Sequence, residues 1–179
     1  GSGKTAAFGL PLIQGLNPHF KKAQALVICP TRELAVQVGK ALADFAKPLG
    51  GVKIATLYGG AAMDKQIGDL KRGAQIVVGT PGRILDHLRR KTFKADEVRY
   101  VVLDEADRML DMGFRDEMVD LLEPLPDERQ TLFFSATMNK DVARLIDRFG
   151  NEPEWIEIEQ TARTADTVEQ SYFDLRWPS

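Results

Sequence analysis

Residues 100–107 read Tyr-Val-Val-Leu-Asp-Glu-Ala-Asp and carry the clearest indication of how this 179-residue chain folds. The apolar, largely β-branched run over residues 100–103 predicts a buried strand. Directly after it the sequence turns acidic, with Asp104, Glu105 and Asp107 in close succession. Because α/β sheets hold their ligands beyond the carboxyl ends of their strands, these carboxylates are candidates for a functional site.

The rest of the chain repeats this alternation of strand and helix. Strands are predicted at residues 25–29, 52–58, 75–78, 100–103, 131–134 and 154–159. Helices are predicted between them at residues 34–46, 64–72, 82–90, 115–122 and 140–149. A further helical pattern at residues 5–16 contains Pro11, and an internal proline removes a helix hydrogen bond and usually causes a kink. Most strand runs are apolar throughout, so we expect an α/β fold with a doubly wound parallel sheet and helices on both faces.

Composition limits the kinds of function that the chain can carry. Hydrophobic residues make up 44% and charged residues 28%, which is typical of a soluble globular protein. The 24 basic and 26 acidic side chains give a net charge of −2. Proteins that hold nucleic acid by overall charge are usually strongly basic. Any contact with nucleic acid must therefore depend on a few well-placed arginines and backbone N–H groups.

The cysteine and histidine content argues against a disulfide and against a zinc site. Cys29 is the one cysteine and ends an apolar run, so we expect a small buried side chain in a protein of a reducing compartment. His19 and His87 have no second histidine or cysteine at ligand spacing. No apolar run approaches the length of a membrane span, roughly 18 residues, and we expect a cytoplasmic protein. The aromatic residues 133–134 and Trp155 are expected in the core.

The first five residues, Gly1-Ser2-Gly3-Lys4-Thr5, match the end of a phosphate-binding loop. In such a loop, backbone N–H groups at a helix start surround phosphate oxygens. The lysine reaches the β- and γ-phosphates, and the threonine hydroxyl binds Mg²⁺. The alternative is that Gly1 and Ser2 are a cloning remnant, which would leave a bare Gly-Lys-Thr.

The carboxylates that follow residues 100–103 strengthen the phosphate-loop interpretation. Asp104 can hold Mg²⁺ through water, and Glu105 can orient and deprotonate the water that attacks a γ-phosphate. The alternative is a helix whose acidic first turn complements the helix dipole. A Lys-Thr phosphate loop earlier in an alternating α/β chain favours the catalytic interpretation.

Six motifs in this order resemble those of the DEAD-box RNA helicases of superfamily 2, and they span nearly the whole chain. They are Gly1-Ser2-Gly3-Lys4-Thr5, Pro30-Thr31-Arg32-Glu33-Leu34-Ala35, Gly59-Gly60, Thr80-Pro81-Gly82-Arg83, Val102-Leu103-Asp104-Glu105-Ala106-Asp107 and Ser135-Ala136-Thr137. The resemblance implies a RecA-like lobe in residues 1–160. The lobe begins inside the first motif, so the strand that carries the phosphate loop is missing. Residues 161–179 are then a linker and the start of a second RecA-like lobe.

The resemblance also implies a function and a role for each motif residue. It implies an ATP-dependent RNA helicase that couples ATP binding and hydrolysis to local RNA strand separation or to remodelling of ribonucleoprotein. ATP and Mg²⁺ are the implied cofactors, and RNA and the second lobe are the implied partners. The residues assigned to catalysis are Glu105, Asp104 and Lys4. Those assigned to nucleotide binding are Gly1, Ser2, Gly3, Lys4 and Thr5, and those assigned to Mg²⁺ are Thr5 and Asp104. The residues assigned to RNA are Pro30, Thr31, Arg32, Gly59, Gly60, Thr80, Pro81, Gly82 and Arg83, and those assigned to coupling are Asp107, Ser135 and Thr137.

The RNA and coupling motifs also have a purely structural interpretation. Thr31 and Thr80 each precede a predicted helix and can serve as its N-cap. Two helix N-termini beside Arg32 and Arg83 suit a phosphate backbone equally well, and such contacts carry no sequence specificity. Residues 135–137 can likewise be a polar strand end that caps the following helix.

Two other functions are compatible with the sequence. One is an ATP-gated RNA clamp that hydrolyses slowly, and the other is a P-loop ATPase whose partner is not a nucleic acid. The runs at residues 30–35 and 80–83 argue against the second. In the resembling family the second lobe supplies transition-state arginines, and an arginine finger is worth about 10³–10⁵ in rate. We therefore expect the isolated chain to bind its ligands but to turn over little or nothing.

Overall fold

Five short strands form one parallel sheet in the computed structural model, which describes residues 3–158. The strands are β1 (Ala25–Ile28), β2 (Ile54–Leu57), β3 (Ile76–Gly79), β4 (Tyr100–Leu103) and β5 (Gln130–Phe133). Their spatial order is β2-β3-β1-β4-β5, and every neighbouring pair is parallel. The chain builds one side of the sheet from β1 to β3 and then crosses to β4 on the other side. The topological switch point, where such sheets bind ligands, therefore lies between β1 and β4.

Helices cover both faces of this sheet. They are α1 (Lys4–Gln14), α2 (Arg32–Ala46), α3 (Met63–Lys71), α4 (Pro81–Arg89), α5 (Ala106–Asp111), α6 (Arg115–Leu122) and α7 (Lys140–Phe149), with a 3-10 turn at Lys47–Leu49. Alternate residues of a strand point to opposite faces. In β1, Val27 joins the core formed with α1 and α2, whereas Leu26 and Ile28 join the core formed with α4, α5 and α6. The predicted α/β fold with a doubly wound parallel sheet is confirmed.

The carboxyl ends of the five strands lie in register. Leu57, Gly79, Ile28, Leu103 and Phe133 are consecutive Cα partners across the sheet. Glycine is needed in β3 because a Cβ on Gly79 would collide with the carbonyl oxygen of Leu57. The residues that follow the five strand ends therefore lie beyond the same edge of the sheet.

Helix α1 is continuous although Pro11 lies inside it. Phe8 and Leu12 are buried, and α1 approaches α2 closely at Gly9, where a Cβ would come within 2.7 Å of a methyl carbon of Leu42. Burying a large apolar side chain contributes about 1.5–3 kcal/mol, so two of them match or exceed the roughly 3 kcal/mol cost of an internal proline. The predicted helix is confirmed, one residue longer at its start and two shorter at its end.

The strand predicted at residues 154–159 is wrong for the part that the structure describes. Residues 154–158 form no strand, and their side chains are exposed. A β-branched run forms a strand only when a neighbouring strand offers free backbone groups, which the local sequence does not specify. The expected core position of Trp155 is wrong as well, since this side chain is 59% exposed. Phe134, in contrast, is half-buried and packs against the core, with its ring centroid 5.4 Å from that of Phe8.

Several expectations concern the ends and the composition of the chain. The expected linker and second-lobe start at residues 161–179 lie outside the described residues, as do Gly1 and Ser2. Within residues 3–158, no helix is both long and apolar enough to cross a membrane, and no three potential metal ligands form a cluster. Cys29 is fully buried as expected, and burial raises the pKa of its thiol well above its usual range.

Candidate functional site

The motif residues form two groups along the carboxyl edge of the sheet. The acidic half lies at the ends of β4 and β5 and consists of Lys4, Thr5, residues 104–107 and residues 135–137. The glycine half lies at the ends of β1, β2 and β3 and consists of residues 30–32, 58–62 and 80–83. Because the strand ends are in register, both halves belong to one continuous edge.

Asp104 is the buried carboxylate of the acidic half. Its backbone N–H donates to the carbonyl oxygen of Ile28 at 2.9 Å, which places the residue at the switch point between β1 and β4. The residue is 3% exposed, its Oδ1 has no hydrogen-bond partner, and the ammonium of Lys4 lies 4.0 Å from that oxygen. Burial raises the pKa of Asp104, while the charge of Lys4 opposes this shift and that of Glu105 reinforces it. Asp104 thus has an acceptor that the protein itself does not satisfy, although buried polar atoms are nearly always paired.

Glu105 occupies a strained backbone conformation, with φ 54° and ψ 53°. Such left-handed values cost a non-glycine residue on the order of 1–3 kcal/mol, and this kind of strain concentrates at functional sites. The N–H of Ala106 donates to the carbonyl oxygen of Phe134 at 2.9 Å and holds the turn in place. The carboxylate of Glu105 accepts a hydrogen bond from Nη1 of Arg108, also at 2.9 Å. The strain lets the chain pass directly from β4 into α5 and keeps the glutamate side chain partly exposed next to Asp104.

Asp107 is the paired carboxylate of the acidic half and connects α5 to the end of β5. Its Oδ2 accepts hydrogen bonds from the N–H of Thr137 at 3.0 Å and from the Thr137 hydroxyl at 2.9 Å. Its Oδ1 accepts from the N–H of Arg108 at 3.0 Å. Burial alone would raise the pKa of Asp107, but these bonds, with help from the Ser135 hydroxyl, hold it below its usual value. The alternative that residues 135–137 cap the following helix is wrong, because Asn139 caps α7.

Helix α1 begins beside Asp104 and offers groups that suit a phosphate. Gly3 precedes the helix with φ 75°, a value that glycine adopts without strain, and a Cβ there would meet nothing within 4 Å. Lys4 and Thr5 lie partly exposed in its first turn. A helix N-terminus next to a lysine favours an anion, and the unpaired Oδ1 of Asp104 is an oxygen ligand of the kind that Mg²⁺ prefers. These groups fit a magnesium nucleotide, since Mg²⁺ needs only one or two protein carboxylates when phosphates and water supply its other ligands.

In the glycine half, α2 brings an arginine to the glycine pair. The hydroxyl of Thr31 accepts from the N–H of Leu34 at 3.3 Å, so the predicted N-cap is confirmed. The guanidinium carbon of Arg32 lies 5.8 Å from the centre of the Tyr58 ring, a cation–π distance. Gly60 has φ 86°, and a Cβ on it would come within 3.3 Å of Nη1 of Arg32. An exposed cation and the glycine pair therefore share one surface.

Helix α4 brings a second arginine to the same turn. Nη1 of Arg83 donates to the carbonyl oxygen of Ala61 at 3.1 Å, which uses one of the five N–H donors of the guanidinium. Thr80 is the N-cap residue of α4 as predicted, but its hydroxyl makes no capping hydrogen bond. The helix begins instead from the Thr80 carbonyl, which accepts from the N–H of Ile84 at 3.1 Å, with Pro81 supplying a helical φ at the first position.

The predicted site residues that the structure describes all lie on this edge, but they present different groups. Pro30 and Pro81 are buried, so they shape the two helix starts. Gly59, Gly60 and Gly82 are exposed, which leaves their backbone open to a ligand. The edge therefore presents backbone and arginines in the glycine half and carboxylates in the acidic half.

Five further residues take part in these contacts and do not follow from the sequence pattern. Arg108 pairs with the strained glutamate, Tyr58 and Ala61 meet the two arginines, and Gln66 and His87 form hydrogen bonds behind the glycine pair. Only the i,i+3 spacing of Arg108 and its partner is visible in the sequence. The other contacts join separate elements, and local patterns do not reveal them.

The family model, the similar sequences and the similar structure described below all point to the same family. The sequence matches the DEAD/DEAH box helicase family over residues 1–145. It is 49% identical over 175 residues to the ATP-dependent RNA helicase DeaD of Escherichia coli (strain K12), and 44% identical over 176 residues to the DEAD-box ATP-dependent RNA helicase CshA of Bacillus subtilis (strain 168). Each alignment covers 98% of this chain, but only 28% of DeaD and 35% of CshA. The fold resembles the crystal structure of a DEAD box protein from the hyperthermophile Methanococcus jannaschii, with a TM-score of 0.77 and 43% identity over 83% of this chain and 40% of that chain.

Proposed function

Since this chain belongs to the DEAD/DEAH box helicase family, we propose that the protein containing it is an ATP-dependent RNA helicase. It would couple ATP binding and hydrolysis to local separation of RNA strands or to remodelling of ribonucleoprotein. The observation that carries this proposal is the in-register row of strand ends, which sets the acidic half beside the glycine half. A nucleotide on one half and an RNA backbone on the other would then rest on one rigid sheet. We also propose a cytoplasmic location for this protein.

The acidic half would bind ATP with Mg²⁺. Lys4 would contact the β- and γ-phosphates, and Thr5 and Asp104 would hold the metal ion. When bound, Mg²⁺ would neutralise the charge on the phosphates during transfer. The unpaired Oδ1 of Asp104 supports this assignment. Burial raises the pKa of this carboxyl, but the nearby charge of Lys4 opposes that shift and favours the ionised form that a metal ligand requires.

Glu105 would orient the attacking water and accept its proton on the carboxylate. Its strained backbone supports this role, because such strain concentrates at functional sites and Glu105 directly follows Asp104 at the sheet edge. The carboxylate must first be released by Arg108, with which it forms an ion pair. The two side chains are 29% and 56% exposed, and such solvent-accessible pairs are worth only about 0–1 kcal/mol. Releasing the glutamate therefore costs little.

The glycine half would hold single-stranded RNA by its phosphates and 2′-hydroxyls. The groups that would contact RNA are Thr31, Arg32, Gly59, Gly60, Thr80, Gly82 and Arg83, with Pro30 and Pro81 shaping the helix starts. Contacts of this kind position a nucleic acid without reading its bases, so we expect no sequence specificity. They also need no large basic surface, in keeping with the net charge of −2.

Asp107, Ser135 and Thr137 would couple the two ligands. Asp107 lies two residues after Glu105, in the first turn of α5, and its hydrogen bonds tie that helix to the segment after β5. A movement of either group is therefore transmitted to the other. We further propose that a second RecA-like lobe completes both sites and that the isolated 179 residues bind ligands with little turnover.

Phosphate release in the presence and absence of RNA tests this proposal. The protein at its natural length should be stimulated by RNA, and Glu105→Gln should lose about 10²–10⁴-fold in rate, the usual contribution of a general base. Glu128→Gln is the matched control, since Glu128 is exposed and precedes β5 at the opposite edge of the sheet. The isolated chain should release little phosphate.

Other outcomes would change the assignment. An active ATPase that RNA does not stimulate would contradict the RNA partner and favour another class of P-loop ATPase. Tight retention of RNA with a non-hydrolysable ATP analogue, together with slow hydrolysis by the unsubstituted protein, would indicate an ATP-gated clamp.

A further inference from the structure

Two buried polar side chains lie directly behind the glycine pair. Gln66 on α3 is 3% exposed and His87 on α4 is fully buried. The amide nitrogen of Gln66 donates to the carbonyl oxygen of Tyr58 at 3.0 Å. The amide oxygen of Gln66 lies 3.0 Å from Nε2 of His87. These bonds connect α4 through α3 to the residue that immediately precedes Gly59.

The arrangement determines which nitrogen of His87 carries the proton. Because the Gln66 nitrogen faces a carbonyl oxygen, the Gln66 oxygen must accept, and Nε2 of His87 must donate. Nδ1 of His87 then accepts from the hydroxyl of Thr92, which lies 2.8 Å away and has the carbonyl oxygen of His87, at 3.1 Å, as a second acceptor. Burial, together with the positive charge of Arg83, lowers the pKa of His87, so the ring is neutral at neutral pH. Every polar atom of the His87 and Gln66 side chains thus has a role in one ordered network.

The same face of α4 holds the turn at a second point. Arg83 precedes His87 by four residues, a spacing that puts both side chains on one side of a helix. Arg83 donates to the carbonyl oxygen of Ala61, and His87 reaches the carbonyl oxygen of Tyr58 through Gln66. The two contacts therefore bracket the glycine pair, whose own backbone is exposed.

We propose that Gln66 and His87 are positioning residues that set the shape of the Gly59–Gly60 turn for binding the RNA backbone. The inference rests on the proposed RNA-binding role of the glycine half. Stability alone does not call for a buried polar network, since replacing both partners by apolar side chains of similar volume is often neutral or stabilising. What such a network supplies, when every member is paired, is a single defined geometry. Here the network fixes the position of the carbonyl of Tyr58, the residue that immediately precedes Gly59.

The test compares Gln66→Met with Gln75→Met in the protein at its natural length. Methionine keeps the volume of glutamine but removes both hydrogen bonds. Gln75 is 1% exposed and also makes two hydrogen bonds, to the N–H of Lys53 and to the carbonyl of Pro18, each 2.8 Å long. It precedes β3 and so lies at the opposite edge of the sheet, which makes it a matched control.

The readout is the RNA-stimulated ATPase, with a homopolymeric single-stranded RNA as the probe. Gln66→Met should raise the KM for RNA about 5–10-fold, the equivalent of one net hydrogen bond. The KM for ATP and the kcat at saturating RNA should stay unchanged. Gln75→Met should leave the KM for RNA unchanged, although it lowers the melting temperature to a similar extent. An unchanged KM for RNA in Gln66→Met, or an equal rise in both variants, would overturn the inference.

A double variant, Gln66→Met with His87→Leu, separates positioning from stability. Leucine leaves no unpaired imidazole facing the methionine, so the melting temperature should recover relative to Gln66→Met. The KM for RNA should stay raised, because nothing donates to the Tyr58 carbonyl. Recovery of the KM together with stability would show that the network is only structural. If RNA fails to stimulate even the unsubstituted protein, the proposed function fails, whereas a stimulated protein with no shift in Gln66→Met refutes this inference alone.

Discussion

At the ends of β4 and β5, Oδ1 of Asp104 is buried without a hydrogen-bond partner, whereas at the ends of β2 and β3 the buried amide of Gln66 is paired on both sides. The acidic half also contains the strained backbone of Glu105. In the glycine half, the positive φ falls on Gly60, which tolerates it. The two halves share one sheet edge, but the acidic half combines an unpaired buried oxygen with a strained backbone, whereas the glycine half pairs its buried amide and places its positive φ on a glycine.

From this difference we infer that the two halves would bind their proposed ligands in different ways. The acidic half keeps an unsatisfied acceptor and a strained residue, which lower stability and are of use only toward a ligand. The glycine half has its buried polar groups paired and presents an already ordered backbone. Binding to an ordered surface saves the entropy cost of fixing it. The predictions below test each half in turn.

Asp107→Asn should have the largest effect on stability, because Asp107 is the one carboxylate of the motif that the protein fully pairs. Hydrogen bonds to a charged group contribute about 1.5–3 kcal/mol each, and we expect a loss of that order in the free energy of unfolding. Thr137→Val removes only the hydroxyl bond, at an exposed threonine, and should cost less, about 1.5 kcal/mol at the lower end of that range. Urea denaturation at neutral pH without nucleotide measures both. Full stability of Asp107→Asn would mean that the pairing with Thr137 contributes nothing.

Gly60→Ala should have a smaller effect, which tests the ordered turn of the glycine half. Its φ of 86° is unfavourable for alanine by about 1–2 kcal/mol, and the new Cβ would press on Arg32. Gly59→Ala is the matched control, since a Cβ there meets nothing within 4 Å and its φ is not positive. Only the first variant should lose stability in thermal unfolding. Equal losses in both would show that the turn is not held in the described shape.

Much of this fold could be predicted from the sequence because the strands are continuous apolar runs bounded by motifs. The helical pattern at residues 5–16 could be seen despite Pro11, but local propensity there is poor, and the helix depends on the burial of Phe8 and Leu12, which the sequence does not show. The absence of a strand at residues 154–158 could not be predicted, because a strand forms only beside a partner strand, and local patterns do not reveal whether one is available. In the site, the identity and order of the motif residues could be predicted, but not their contacts. The pairing of Asp107, the free Oδ1 of Asp104 and the Gln66–His87 network all depend on distances between separate elements.

Mild acid should have the smallest effect, through His87. Burial, with the charge of Arg83, lowers the pKa of His87, so on acidification the unfolded chain takes up this proton before the folded protein does. The stability that depends on neutral His87 is complete above the ordinary imidazole pKa of about 6.5 and is lost as the pH falls below it. The free energy of unfolding should therefore fall less steeply between about pH 7.5 and 5.5 in His87→Gln than in the unsubstituted chain. Identical slopes would contradict a neutral, buried His87.

The most direct test of the contrast between the two halves is the free energy of unfolding of Asp104→Asn, measured beside Asp107→Asn without nucleotide at neutral pH. Asp104→Asn removes a buried charge whose Oδ1 has no hydrogen-bond partner, and it weakens two contacts, one of 4.0 Å with a lysine that is 43% exposed and one with the backbone N–H of Glu105. We predict that it is at least as stable as the unsubstituted chain, while Asp107→Asn is less stable. A loss in Asp104→Asn as large as that in Asp107→Asn would contradict the interpretation, because it would show that the protein itself uses the carboxylate that we assign to the ligand.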